Sequence, residues 1–140
     1  MAATKGFTIE IASRFDGWWR YNAALMCGCF DADDRRIGFA AAESPVAAVG
    51  EAPAACPPGI DPERRLTLET EPCDHLLLYL YIIPHTLPKE RSIEAAKPFP
   101  LELQIAWNGR RFRRETLAIN QWGGCSLELR IDHPDNGSVR

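Results

Sequence analysis

Residues Pro100–Ile119 read PLELQIAWNGRRFRRETLAI, and this stretch predicts its own structure. Apolar and mainly polar residues alternate from Leu101 to Trp107, which is the period of a β-strand with one buried face. Asn108 and Gly109 follow, and this dipeptide tolerates the two positive φ angles that a type I′ turn requires. A second run, which contains Phe112, then returns toward the start. The stretch is therefore predicted to be a β-hairpin.

The alternation of inward and outward side chains is not the same along the whole second strand of this hairpin. With a two-residue turn, Phe112 lies opposite Ile105 and shares its buried face. Leu117 and Ile119 are odd-numbered and fall out of phase with Phe112 in that register. We therefore expect either a β-bulge near Arg113–Thr116 or a strand that changes sheets there.

Six further segments show the alternation or the apolar run of a strand. They are Phe7–Ile11, Tyr21–Cys29, Arg36–Ala40, Arg65–Thr70, Leu76–Ile83 and Cys125–Ile131. Leu76–Ile83 is apolar or aromatic throughout, which predicts a central strand covered on both faces. Seven or eight strands have more apolar faces than one sheet can cover. We therefore predict an all-β fold, a β-sandwich of two antiparallel sheets, with a β-barrel as the main alternative.

Two long connections interrupt the strands. Ala41–Pro62 is rich in Ala, Pro and Gly and lacks a strand period, so it is either functional or loosely ordered. Pro84–Pro98 contains a segment from Pro88 to Lys97 whose composition favours a short helix. No repeat or composition shift divides the chain. We expect one domain over residues 1–140, with loose termini at 1–6 and 133–140.

The composition is that of a globular protein and excludes several classes. Of the 140 residues, 46% are hydrophobic and 25% are charged, which is too balanced for a disordered chain. The net charge of −3 disfavours binding to nucleic acid or to an anionic membrane. The first residues lack the apolar core of a secretory leader. The longest apolar run, Leu76–Ile83, is far shorter than the roughly 20 residues of a membrane-spanning helix. We expect a soluble, cytoplasmic protein.

The chain has 5 cysteines, an odd number at irregular spacing, which does not indicate a disulfide framework. They are Cys27, Cys29, Cys56, Cys73 and Cys125. Zinc needs four converging ligands, usually in two close pairs, and the sequence offers only one close pair, spaced C-x-C. We expect most of these residues to be buried, reduced and packed as small hydrophobic side chains, and we predict no cofactor.

Tryptophans are the first candidates for a binding surface. Consecutive residues of a strand face opposite sides, so either Trp18 or Trp19 should point away from the core unless a loop covers it. Trp122 lies in the turn Gln121–Gly124 and offers a second exposed indole beside flexible backbone. These three residues form the aromatic part of the predicted binding site.

Four arginines surround Phe112 at the tip of the predicted hairpin, namely Arg110, Arg111, Arg113 and Arg114. Their guanidinium groups could bind an acidic protein partner or, against the net charge, the phosphates of a nucleic acid. The alternative is an exposed strand whose charges keep it soluble and discourage edge pairing. Glu102 and Glu115 lie opposite each other in the expected register and could neutralise part of this charge.

Asp31, Asp33 and Asp34 form an acidic turn between two predicted strands. Calcium requires six to eight oxygen ligands, and one such loop supplies only about three. An ordinary solvated turn is therefore the preferred interpretation. We predict no metal, with calcium at these three residues as the alternative.

Histidines are the candidates for acid–base catalysis, and their partners are missing from the sequence. Asp74 and His75 are adjacent, so on a strand their side chains point to opposite faces and cannot simply pair. His85 and His133 are not accompanied by a nucleophile elbow, a metalloprotease motif or a glycine-rich phosphate loop. We predict no catalytic residue, and a hydrolase that uses His75 or His85 as base is the weakest of our hypotheses.

The sequence favours a non-enzymatic protein–protein interaction module, such as an adaptor, an inhibitor or an assembly subunit. The alternative is a β-sandwich that binds a small ligand or a carbohydrate, with calcium contacts from the acidic turn. The expected partner is another protein, acidic where it meets the arginines. A homodimer is a further option, because an unpaired edge strand or an exposed tryptophan would favour one.

Overall fold

The computed structural model describes residues 5–43, 65–85, 92 and 96–134. Within these ranges the chain forms eight β-strands and one short 3₁₀ helix, Trp18–Arg20. The strands are β1 (Phe7–Ala12), β2 (Tyr21–Phe30), β3 (Arg36–Glu43), β4 (Leu66–Glu69), β5 (His75–Pro84), β6 (Phe99–Trp107), β7 (Arg110–Ile119) and β8 (Cys125–Asp132). Among the described residues, no helix is long and apolar enough to cross a membrane.

The strands form two antiparallel four-stranded sheets. Sheet A has the order β4-β1-β6-β7, and sheet B has the order β3-β2-β5-β8. The pairs β2–β3 and β6–β7 are hairpins, whereas the other neighbours come from distant parts of the chain. Two separate sheets confirm the predicted β-sandwich and decide against the barrel.

The core lies between the sheets, because each strand turns alternate side chains inward. Strand β1 buries Phe7, Ile9 and Ile11 completely. Their fully buried counterparts on sheet B are Tyr21, Leu25, Leu76, Leu78, Leu80 and Ile82. The period of two seen in the sequence therefore identifies the inward residues. The central position predicted for β5 is confirmed, but its predicted coverage on both faces is wrong, since Ile83 is 59% exposed.

The turn of the β6–β7 hairpin has the predicted chemistry. Asn108 and Gly109 have φ angles of 51° and 84°, as a type I′ turn requires. Asn108 also binds the segment before β1, because its N–H donates to the Gly6 carbonyl at 3.0 Å. The turn thus closes the hairpin and ties it to the neighbouring strand of sheet A.

A β-bulge interrupts the same hairpin. The pairing shifts between Ile105, which faces Arg113, and Ala106, which faces Arg111. Phe112 is therefore the extra residue, and it restores the phase of the remainder of β7. The predicted bulge exists, but it lies nearer the turn than expected. The expected pairing of Phe112 with Ile105 was wrong for this reason.

Several sequence interpretations fall on positions outside the described residues. Positions 44–64 contain most of the Ala41–Pro62 connection and also Cys56. Positions 86–91 and 93–95 contain most of the helix predicted from Pro88 to Lys97. The outermost parts of the predicted loose termini, 1–4 and 135–140, also lie outside.

Candidate interaction surface

The outer faces of the two sheets differ in chemistry. The outward side chains of sheet A are mainly polar, and they include Thr8, Glu10, Glu102, Gln104 and Thr116. On sheet B, strands β2, β3 and β5 turn mainly apolar residues outward. These residues are Ala24, Met26, Gly28, Phe39, Ala41, Leu77, Tyr79, Tyr81 and Ile83. We call this set the apolar face.

The register places these residues in contiguous rows across three strands. Gly28 lies between Phe39 and Leu77, and the next row is Ala41, Met26 and Tyr79. The exposed fractions are 78% for Phe39 and 41% for Met26. Single exposed apolar residues are common on proteins, but contiguous apolar patches mark interaction sites.

A groove lies at the centre of the apolar face, and Gly28, Phe39 on β3 and Leu77 on β5 line it. The ring of Phe30 and the side chain of Arg36 also line it, and they lie 3.1 and 3.9 Å from the position that a Cβ of Gly28 would take. The groove has a volume of about 400 Å³, and Met26 and Tyr79 also line it. Its size and lining suit a large apolar side chain supplied by a partner.

The sequence contained a signal for this face. Leu76–Ile83 is apolar at both odd and even positions, and Phe39 interrupts a run of small residues in β3. These patterns show that a second sheet face is apolar, whereas they do not show whether other residues cover it. The apolar run alone predicted a strand covered on both faces, and the face was therefore missed.

Trp18 and Trp19 do not provide an exposed indole. They lie in the 3₁₀ helix Trp18–Arg20 and not in a strand, so the alternation rule does not apply to them. Both are buried, and the ring of Trp18 packs 6.2 Å from that of Tyr21. The guanidinium of Arg20 lies 4.7 Å from the centre of the Trp19 ring. The expected exposure was wrong, and both indoles belong to the interior.

Trp122 is half-buried in the turn between β7 and β8. The side-chain oxygen of Asn120 accepts the N–H groups of Trp122 and Gly123, both at 2.8 Å. The Gly124 N–H donates to the Asn120 carbonyl at 2.8 Å. These bonds define the turn that we expected to be flexible. A binding role for Trp122 stays a prediction.

Two arginines of the hairpin are held by carboxylates. Arg113 lies 2.6 Å from Glu115, and Arg114 lies 2.6 Å from Glu102. The hydrogen bond from Arg114 holds the pKa of the Glu102 carboxyl below its ordinary value. The expected neutralisation by these glutamates is confirmed. Glu102 nevertheless faces Thr116 and not Glu115, because the bulge shifts the register.

The remaining two arginines lie nearest the turn. Arg110 and Arg111 are exposed, and Arg111 faces Ala106 on the outer side of sheet A. The hairpin tip therefore presents two guanidinium groups on the sheet that does not carry the apolar face. Binding of an acidic partner at this tip stays a prediction.

His75 is buried at the start of β5 and contacts two carboxylates. Its Nδ1 lies 2.8 Å from Asp74, and its Nε2 lies 2.9 Å from Asp34. The ring of Phe30 stacks on the imidazole with 5.3 Å between centroids. The prediction that Asp74 and His75 cannot pair was wrong. Asp74 precedes the first residue of β5 and so does not follow the alternation of the strand.

The same cluster has the composition of a metal site, but its ligand atoms already contact other protein groups. Ligand atoms of Asp74, His75 and Asp132 lie within 4.8 Å of one another. Both ring nitrogens of His75 face carboxylates, however, and Asp132 accepts a hydrogen bond from Arg130 at 3.1 Å. A cation would have to break these contacts to bind. His75 thus links Asp34 in the β2–β3 turn to Asp74 and the start of β5. We call these three residues the His75 clasp.

Side-chain carboxylates of the acidic turn form bonds that stabilise the turn. The Asp31 side chain accepts the N–H of Asp33 at 2.9 Å and that of Arg35 at 3.0 Å. Asp34 has a positive φ of 62° and directs its carboxylate to His75. These bonds are those of a tight turn, and they direct the carboxylates of Asp31 and Asp34 to different partners.

The cysteines of the described residues are free thiols. Cys27, Cys29 and Cys73 are buried, and Cys125 is half-buried. Burial raises the pKa of Cys27 and of Cys73 to about 12. Thiols with such values stay protonated at neutral pH and are poor nucleophiles. They pack as small hydrophobic residues, as the sequence predicted.

Comparisons with known proteins were made by sequence and by structure. No protein-family model matches the chain, and no curated protein matches it. A domain of unknown function, DUF4425, from Bacteroides vulgatus ATCC 8482 has 8% identity and a TM-score of 0.49 over 93% of this chain and 98% of that one. A DUF4425 family protein from Bacteroides ovatus ATCC 8483 has 8% identity and a TM-score of 0.42 over 91% and 94%. At this level of similarity the two structures carry no argument about function.

Proposed function

We propose that this protein is a non-enzymatic protein–protein interaction module that binds its partner through the apolar face of sheet B. The contrast between the two outer faces supports the proposal. Sheet A turns polar side chains outward, whereas sheet B exposes Phe39 and Met26 in adjacent rows and Ile83 farther along β5. Exposed apolar surface of this kind is retained where a partner removes it from water.

The surroundings of the face also resemble an interface. Strand β8 borders it with charged side chains, since Glu128 lies beside Tyr79 and Arg130 lies beside Leu77. An apolar centre with a polar rim is the usual anatomy of a protein interface. The groove over Gly28 would receive the anchoring side chain of the partner, because such anchors carry most of the binding energy.

The chemistry of the titratable groups favours binding over catalysis. His75 holds a carboxylate at each ring nitrogen, and burial keeps the thiols of Cys27 and Cys73 protonated. A general base needs a free nitrogen, and a thiol nucleophile needs a low pKa. The free thiols of the described residues also suit a reducing compartment, and we propose a cytoplasmic location.

The test is affinity purification with matched surface variants as bait. Met26→Lys places a charge in the centre of the apolar face, and Thr116→Lys places the same charge on the outer face of sheet A. We expect a stoichiometric protein partner that Met26→Lys loses and Thr116→Lys retains. Reconstitution from purified components should then show at least a tenfold weaker Kd for Met26→Lys, since burying an unpaired charge costs more than 1.4 kcal/mol.

Two further outcomes of this test would redirect the proposal. A partner that survives Met26→Lys but is lost with Arg111→Glu would locate the interface at the hairpin tip. Recovery of no partner, together with a thermal shift caused by a sugar or by calcium, would overturn the interaction module in favour of ligand binding.

A further inference from the structure

The edges of the two sheets are not protected to the same degree. Unpaired edge strands invite pairing with another chain, and proteins prevent this with short strands or with charges. In the described part of the chain, β4 has only four residues, β7 carries four arginines, and β8 alternates Glu128, Arg130 and Asp132. Strand β3 is the exception, because it has no charge between Arg36 and Glu43.

The uncharged part of β3 also keeps a regular backbone register with β2. The register with β2 shifts only between Cys29 and Phe30, which leaves Ile37 as an extra residue near the start of β3. From Gly38 to Glu43 the pairing is continuous. Sheet B ends at β3, so among the described strands none pairs with its other edge.

The side chains of β3 permit close approach of another strand. Gly38, Ala40 and Ala42 are small and half-buried on the inner side. On the outer side Phe39 is 78% exposed and lies beside the open edge. A strand added here would cover this ring, and beside Gly38 and Ala40 it would run along the cleft that Glu69–Cys73 lines opposite β3.

The charges at the two ends of β3 select an antiparallel second copy as the added strand. A two-fold axis through Ala40 places Phe39 opposite Ala41 of the second copy. Because Ile37 is the extra residue of the bulge in β3, it takes no place in the pairing. Arg36 therefore lies opposite Glu43 of the second copy, and Glu43 lies opposite Arg36 of the second copy by symmetry. An axis through Phe39 would instead bring Glu43 toward Asp34, which sets two carboxylates together. Opposite charges thus favour the first register.

We propose that the protein forms a homodimer by antiparallel pairing of β3 with β3 of a second copy, centred on Ala40. Sheet B then continues across the dimer as eight strands, and the two apolar faces join on one side. The inference rests on the proposed function, because β3 belongs to the same interaction surface, and it names a second copy as a partner.

The test is a charge exchange at the ends of β3. Arg36→Glu and Glu43→Arg each create two like-charge pairs in the dimer, and both positions are exposed. We expect each variant alone to weaken dimerisation about tenfold or more. An equimolar mixture should restore a dimer, because every cross-pair is then opposite in sign. Sedimentation velocity and light scattering of the purified full chain measure the result, and Glu128→Arg on β8 is the control that should dimerise normally.

The outcomes separate this inference from the proposed function. A wild-type protein that is monomeric at all concentrations overturns the dimer, as does a mixture that fails to restore it. A strand from a different protein on β3 would appear as a partner that Phe39→Lys loses and Met26→Lys retains, from a chain that stays monomeric alone, and this also overturns the dimer. Arg36 lines the groove of the apolar face, whereas Glu43 does not. Partner capture by the apolar face is therefore measured independently with Glu43→Arg, which keeps Met26, Leu77 and Tyr79.

Discussion

Gly124, at the end of the β7–β8 turn, occupies a position that no other residue fits. Its φ is +71°, and a Cβ there would overlap the carbonyl oxygen of Ile82. Gly123, the preceding residue, has its nearest neighbour at 3.6 Å, the side-chain oxygen of Asn120. We expect Gly124→Ala to lower the free energy of unfolding by about 2–4 kcal/mol and Gly123→Ala to change it by about 0.5 kcal/mol or less. Urea unfolding of both variants checks this, and equal midpoints would contradict the turn.

Tyr21 makes the stability sensitive to alkaline pH. Its hydroxyl donates to the Gln121 carbonyl at 2.7 Å, and burial raises its pKa from 10 to about 12. Below pH 10 the hydroxyl is protonated in both states, and its contribution is complete. Between pH 10 and 12 the unfolded chain loses the proton first, so the free energy of unfolding falls by about 1.4 kcal/mol per pH unit for this group.

Tyr21→Phe separates this effect from the rest of the molecule. The variant should lose about 1 kcal/mol at pH 7, because one buried hydrogen bond disappears. Above pH 10 its stability should fall less steeply than that of the wild type. Cys27 and Cys73, whose pKa values are also raised by burial, remain in both proteins and begin their decline from pH 9. Urea midpoints from pH 7 to 11 measure the two slopes, and parallel slopes would refute the assignment.

Local chemistry predicts an element when the cause lies among neighbouring residues. The β6–β7 hairpin was predictable because alternation and Asn108-Gly109 are local features. The position of its bulge was not, because Phe112 packs beside Phe7 at 6.4 Å and that contact is tertiary. The 3₁₀ helix at Trp18 was also missed. It is held by a bond from the Arg20 N–H to the Gly17 carbonyl at 3.0 Å, and no residue pattern marks this bond.

The His75 clasp joins two elements and should carry more stability than an exposed ion pair. His75 is buried, whereas the Asp34 side chain is 73% exposed. We expect His75→Ala to lower the free energy of unfolding by about 2–4 kcal/mol, because it removes the buried ring and the contact between the imidazole and Asp74. Asp34→Asn should cost about 1 kcal/mol or less, since asparagine tolerates the positive φ. Denaturant unfolding compares the two, and a cost that is larger for Asp34→Asn would show that the turn depends on charge and not on the buried ring.

At the scale of the whole molecule, the chemistry of the sheets is asymmetric. Both sheets contribute to the core, but sheet A has a polar outer face and charged or short edges. Sheet B has an apolar outer face and, within the described residues, an edge strand, β3, that carries no charge between Arg36 and Glu43. Periodicity predicted the sandwich because it reports which residues alternate. It did not predict the surface, because exposure depends on what packs against a face and not on the spacing of its residues.

Self-pairing of β3 would couple the folding of the whole molecule to its concentration. When a dimer unfolds to two chains, a tenfold rise in protein concentration stabilises it by about 1.4 kcal/mol per mole of dimer. We therefore expect the unfolding midpoint of the wild type to rise with concentration. In Phe39→Lys the midpoint should stay constant, because a lysine near its symmetry mate opposes pairing. At the lowest concentration the two proteins should differ by about 0.5 kcal/mol or less, since Phe39 is 78% exposed in the single chain. Thermal unfolding over a wide concentration range measures both quantities, and a wild-type midpoint that does not move would exclude a dimer coupled to folding.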